Sequence, residues 1–131
     1  MTEEFIAMYT DPLPWIDSSD IQQLPPGPEA KILRRYDEDD HALDLLMRFP
    51  AGYVEPRHTH DGEVMVMIVE GRMLVDGTSY GPGDYLYEPR NVAHGPFEYP
   101  EGCVLYASHR GSPVHEYEGK AAGRLPTPET D

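Results

Sequence analysis

The stretch PRHTHDGEVMVMIVEG, Pro56 to Gly71, decides how the rest of the chain is read. His58 and His60 stand two apart, and residues two apart on an extended strand point to the same side. Their rings can therefore meet at one point, as the ligands of a single ion do. A short turn at Asp61-Gly62 follows, and then an almost unbroken apolar strand from Val64 to Glu70, closed by Gly71. An isolated His-x-His is also what two solvated histidines look like, so the surroundings decide between the two.

Upstream, ALDLLMRF places Leu43, Leu45, Met47 and Phe49 in alternation with Ala42, Asp44, Leu46 and Arg48. One face is wholly apolar and the other mixed, which predicts a strand with the first set inward. KILRRYD reads as an earlier strand, and DEDDH as its turn. Downstream, EGRMLVDGTSYGPGDYLYEP reads as strand, DG turn, short strand, GPGD turn and strand, and HGPFEYPEGCVLYASHRG as two more. The 14 prolines and 12 glycines suit many tight turns. With no long helix, repeat or linker, the fold is expected to be all-β, a barrel or sandwich. The segments DPLPWIDSSD and LPPGPEA are too rich in proline for helix interiors. Their Trp15, Ile16, Ile21 and Leu24 favour an arm laid on the domain over a loose tail. The expected organisation is an arm over 1–30, a barrel over 31–118 and a flexible tail over 119–131.

A chain of 131 residues is sized for one core. Its formal charge of −14 argues against nucleic acid and anionic membrane as partners. One cysteine, Cys103, excludes an internal disulfide and a cysteine zinc cluster, and its place after a glycine at the start of an apolar strand predicts a buried, inert thiol. No apolar run approaches the roughly 20 residues of a membrane span, and the acidic MTEEFIAMYT is unlike a secretion signal. A cytoplasmic location is expected.

Spacing separates three histidines from the rest. Gly52 is followed after five residues by His58, then His60, Glu63 and the strand to Gly71; Gly83 is followed after five residues by Pro89, then Asn91 and His94. These blocks resemble the two motifs of the cupin family, over about Gly52 to Glu98. The resemblance implies a single-domain antiparallel jelly-roll barrel, with a divalent metal held inside by His58, His60 and His94. Three features depart from the family pattern: Val64 stands where a glutamate ligand is usual, with Glu63 one place earlier; Asn91 replaces a glycine; and Glu98 replaces a closing asparagine. HTHDGEV, GDYLYEP and the PWI of the arm are similar to a narrower group. That group includes dihydroxyacetophenone dioxygenase, acetylacetone dioxygenase and the cupin domain of ChrR-type anti-sigma factors. The resemblance to its dioxygenases implies iron(II) held by three histidines without a carboxylate, and cleavage of a carbon–carbon bond by O₂. His41, His109 and His115 have no such frame: His41 is expected solvated in its acidic turn, and His109 and His115 in loops or at strand ends.

Three neutral imidazoles leave the ion its double charge, so its open positions attract an anionic oxygen chelate such as an enolate. Each imidazole also needs its second nitrogen anchored, often by a carboxylate, for which Glu63, Glu88 and Glu98 are near enough in sequence. Glu63 is the chosen one, as an orienting acid or a fourth ligand with a catalytic part. Met47, Phe49, Met67 and Tyr85 are expected to shape the substrate pocket. The function these readings imply is a non-haem iron(II) dioxygenase acting with O₂ on a small diketone or aromatic hydroxyketone. Imidazole suits zinc, nickel and copper sites as well as iron, and manganese stands as a further possible ion. A zinc-binding sensor without turnover, or a lyase, isomerase or cyclase, stands as the alternative. A homodimer is expected, because pairing would protect an open sheet edge.

Overall fold

The alternation in ALDLLMRF recurs in the computed structural model, which describes residues 4–36, 42–112 and 114–117. Leu43, Leu45, Met47 and Phe49 are buried, and Arg48 is exposed. Among the described residues the strands are β1 (Ile16–Asp17), β2 (Glu29–Arg35), β3 (Leu43–Phe49), β4 (Tyr53–Glu55), β5 (His58–His60) and β6 (Glu63–Gly71). They continue as β7 (Met73–Val75), β8 (Thr78–Tyr80), β9 (Tyr85–Glu88), β10 (Phe97–Tyr99), β11 (Cys103–Arg110) and β12 (His115–Tyr117). Among these residues the one helical turn is α1 (Ser19–Gln22).

All strand pairs are antiparallel. A six-stranded sheet runs β1-β2-β3-β11-β6-β9, a four-stranded sheet β4-β10-β7-β8, and β5 pairs with β12. The inward residues of the two larger sheets form one core, from Leu45, Val66, Ile68 and Leu105 on one side to Tyr53, Met73, Phe97 and Tyr99 on the other. This is the cupin jelly roll. The first strand lies at 29–35 and not 31–37, and DEDDH with His41 and the tail 119–131 fall outside the described residues.

The segment before β2 is anchored at several points. β1 pairs with β2, Ser18 Oγ donates to the Pro28 carbonyl at 3.1 Å, and Tyr53 donates to the Pro25 carbonyl at 2.9 Å. Trp15 lies between the Lys31 ammonium, 4.8 Å from its ring, and the Arg48 guanidinium at 4.3 Å. Gln22 and Leu24 are buried, while Phe5 and Tyr9 are exposed. The β6 strand is less uniform than its apolar sequence implies. Val64, Val66 and Ile68 enter the core, and Met67 and Val69 face outward.

Gly71 closes β6 with φ 81°, and a Cβ there would collide with the Gly102 carbonyl. Gly71→Ala is therefore expected to cost about 2 kcal/mol or more. Urea unfolding is the measurement, with Gly77→Ala as the control: that turn glycine also has positive φ but opens into free space.

Candidate metal centre

Strand pairing brings the three motif histidines together. His58 and His60 both face inward from β5, and the backbones of His58 and His94 exchange two hydrogen bonds, 2.9 and 3.0 Å. Asn91 donates to the His60 carbonyl at 2.8 Å with φ 57°. Asparagine tolerates this left-handed conformation better than most residues, which explains how it replaces a glycine here without disturbing the ligand beside it.

The ring orientations are set by the main chain. His58 Nδ1 donates to the Pro56 carbonyl and His60 Nδ1 to the Gly62 carbonyl, each at 2.7 Å. A carbonyl only accepts, so the proton is on Nδ1 and each Nε2 offers a lone pair to the interior. His60 Nε2 lies 3.1 Å from His94 Nε2 and 3.0 Å from Glu88 Oε1, and that oxygen is 3.1 Å from His94 Nε2. A lone pair and a carboxylate oxygen at this distance repel unless a proton or a metal ion lies between them. An ion about 2.1 Å from three ligands at right angles would hold them about 3.0 Å apart, as found. The donor atoms of His58, His60, Glu88 and His94 all lie within 4.8 Å of one another. The set fits a divalent ion. The side chains of His58 and His60 are fully buried and that of His94 is 16 % exposed, so the cluster opens toward solvent beside His94.

The carboxylate comes from a strand other than the expected one. Glu63 begins β6 on its outer side, where it accepts the Tyr87 hydroxyl at 2.5 Å. It has no place among the converging donors. Glu98 is exposed on β10, and of the three acids considered as anchors only Glu88 faces inward. Glu88 is the cross-strand partner of Val64, the position where the family pattern has its glutamate. The interior therefore receives a carboxylate at the same level from the neighbouring strand, and the donor set is three imidazoles with one carboxylate rather than imidazoles alone.

Met47 and Phe49 are buried and line a cavity of about 30 Å³ next to Glu88. Met67 and Tyr85 do not reach it, since they pair with each other on the outer face, 44 % and 56 % exposed. An open groove of about 400 Å³ bordered by Gly27, Arg48 and Glu101 contains none of the four donors. Sequence reasoning missed two further buried polar residues on the cavity. His109, expected in a loop or at a strand end, stands next to the last residue of β11 and is fully enclosed, with Gln22 Nε2 3.0 Å from its Nε2. Glu55, at the end of β4, accepts the Tyr99 hydroxyl at 3.2 Å and approaches His58 Nε2 to 3.4 Å.

Burial sorts these groups by charge. It opposes ionisation of Glu88, but hydrogen bonds and the charges of His60 and His94 prevail and hold that carboxyl well below its usual range. Burial and then the Glu88 charge push Glu55 well above its usual range, against the Tyr99 hydrogen bond. Burial pulls His58 and His109 down to about 4 each. Cys103 is buried, and burial raises its thiol to about 12.

The ChrR cupin-like domain family matches residues 3–113, and the chain belongs to that family. No curated protein matches it. Among solved structures, an acetylacetone dioxygenase from Acinetobacter johnsonii shares 18 % identity over 83 % of this chain and 74 % of its own, at TM-score 0.63. The polyketide cyclase RemF from Streptomyces resistomycificus shares 14 % over 90 % and 88 %, at 0.68. A chain of the Rhodobacter sphaeroides complex of SigE with the anti-sigma ChrR shares 20 % over 77 % and 51 %, at 0.57. At these identities the likeness is one of fold. No helix among the described residues is long and apolar enough to cross a membrane.

His60→Ala is expected to abolish binding of one equivalent of zinc, and Glu88→Gln to weaken it about 10- to 100-fold. Glu63→Gln is expected to leave it within about twofold; calorimetric titration of chelator-treated protein reads all three. In metal-free protein, His109 titrates near 6.5 when unfolded and about 4 when folded, so the unfolded state binds the extra proton between those values. The stability that His109 contributes is complete above about pH 6.5 and declines as pH falls toward 4. His109→Gln should flatten the pH dependence of urea stability in that window by up to about 1.4 kcal/mol per pH unit.

Proposed function

We propose that this chain is a metal-dependent cupin enzyme, a non-haem iron(II) dioxygenase that cleaves a carbon–carbon bond of a small diketone or aromatic hydroxyketone. The observation that carries this reading is the convergence of His58, His60, His94 and Glu88 on one ion-sized point beside an internal cavity. The fold likeness to an acetylacetone dioxygenase supports it.

A divalent ion held by His58, His60, His94 and Glu88 would supply Lewis acidity toward an oxygen-donor substrate and, as iron(II), redox chemistry toward O₂. The protein's own part is positional. His58 and His60 cannot rotate without giving up their carbonyl partners, so their lone pairs stay aimed at one point. Glu88 brings one negative charge, which lowers the net charge facing the substrate to about that of a single cation. The apolar side chains of Met47, Phe49, Val66 and Leu105 line the cavity beside Glu88 and keep bulk water out of the barrel interior. Flavin and nicotinamide are not needed: a 1,3-diketone plus O₂ has the atoms of a carboxylic acid plus a 1,2-dicarbonyl.

Glu88 also favours a second reading. Three nitrogens and one carboxylate oxygen are the full ligand count of a zinc site built from protein groups alone, as in a sensor without turnover. Our reading further includes a cytoplasmic homodimer, supported by the apolar surface of Phe5, Ile6 and Tyr9.

Protein reconstituted anaerobically with iron(II) is expected to consume one O₂ per pentane-2,4-dione or 2-hydroxyacetophenone in an oxygen-electrode assay. Tightly held stoichiometric zinc after purification without chelators, and no uptake with iron, would support the sensor reading instead.

A further inference from the structure

Four buried polar side chains that are not among the metal donors meet at the cavity beside the cluster. Glu55 and Tyr99 reach it from the four-stranded sheet, with the Tyr99 hydroxyl 3.2 Å from Glu55 Oε1. His109 reaches it from the six-stranded sheet, and Gln22 from α1, with their Nε2 atoms 3.0 Å apart. None is more than 4 % exposed. The ring of His109 is 6.5 Å from that of His60, and Glu55 Oε2 is 3.4 Å from His58 Nε2. Both pairs therefore flank the metal position.

Burying four polar groups in a core otherwise built from Leu24, Met47, Val66 and Leu105 has a free-energy cost that apolar packing would avoid. The arm makes the arrangement possible, because Gln22 comes from the turn that β1 and the Ser18 bond to Pro28 hold in place. The cavity of about 30 Å³ exceeds the roughly 10–15 Å³ needed to seat one water molecule. It has room for one or two water-sized groups and none for a ring. A methyl group fits by size, but it would leave the buried Gln22 Oε1, an acceptor with no hydrogen-bond partner among the described residues, still without a donor.

We propose that this cavity, walled by Glu55 and Tyr99 on one side and by His109 and Gln22 on the other, seats a hydroxyl group of the ligand. The protein then selects hydroxylated oxygen chelates over their hydrocarbon-flanked counterparts. The inference rests on the reading that the metal holds an oxygen chelate, and it makes Glu55, Tyr99, His109 and Gln22 specificity-determining residues.

The test compares 1-hydroxypentane-2,4-dione with pentane-2,4-dione, titrated calorimetrically into zinc-loaded protein. The hydroxylated probe is expected to bind at least about tenfold more tightly. The gap should shrink to within about threefold in Tyr99→Phe, which keeps the ring stacked on Phe49, and in the double variant Gln22→Met with His109→Met, metal content being confirmed for each. Should the double variant fail to fold, Tyr99→Phe and Glu55→Gln carry the comparison. Equal affinities, no binding of either probe, or a gap unchanged in the variants overturns the inference. Oxygen uptake separates this from the reading above. A tenfold preference without uptake on iron leaves the selectivity standing and removes the dioxygenase, whereas uptake with equal affinities does the reverse.

Discussion

Two main-chain carbonyls, those of Pro56 and Gly62, govern the chemistry of the interior. By accepting the Nδ1 protons of His58 and His60, they turn two Nε2 lone pairs toward the same point. The backbone exchange between His58 and His94 brings the third ring to that point, and the ring stacks on Phe97. The geometry is thus written into the loops that flank β5 and precede β10, and the barrel wall holds those loops still. A ligand set made this way changes little when surrounding side chains change, which suits a fold that supports several activities.

Charge is distributed inside the barrel with equal economy. Two glutamates are buried near the same metal position, and two full negative charges there would repel strongly. Their surroundings drive them apart. Glu88 is favoured as the charged one because two imidazoles face it, and Glu55 is pushed well above its usual range because it is enclosed and Glu88 lies near. Tyr99 fixes the second carboxyl, and Phe49 in turn fixes Tyr99, with the two rings stacked 4.0 Å apart and 4° from parallel. A packing residue on β3 thereby sets the position of a polar group on the opposite sheet.

The β-strand architecture and the three histidines were legible in the sequence because both depend on period-two alternation and on turn residues at fixed offsets. The carboxylate was not, for the same reason. Choosing Met67 and Tyr85 as pocket residues assigns the wrong parity to both strands: Met67 is three residues from inward Val64, and Tyr85 three from Glu88, so each pair must lie on opposite faces. Had Leu86 been read as inward, Glu88 would have followed it. His109 carries a similar signal, ending the run Cys103, Leu105, Ala107 of inward residues along β11. Nothing within β4 marks Glu55 as buried, since its partner Tyr99 lies far along the chain and only tertiary pairing joins them.

The crossing of Gly62 and Gly111 has a consequence for inheritance. A side chain on either glycine would strike the other's backbone, with Cβ contacts of 2.6 and 2.7 Å. Gly62 is also the residue whose carbonyl orients His60. Two segments distant in sequence are therefore locked as one unit: neither can acquire a side chain while the other stays in place. A chimera spliced between them must take both from parents in which that crossing is equally bare, or the imidazole loses the carbonyl that aims it.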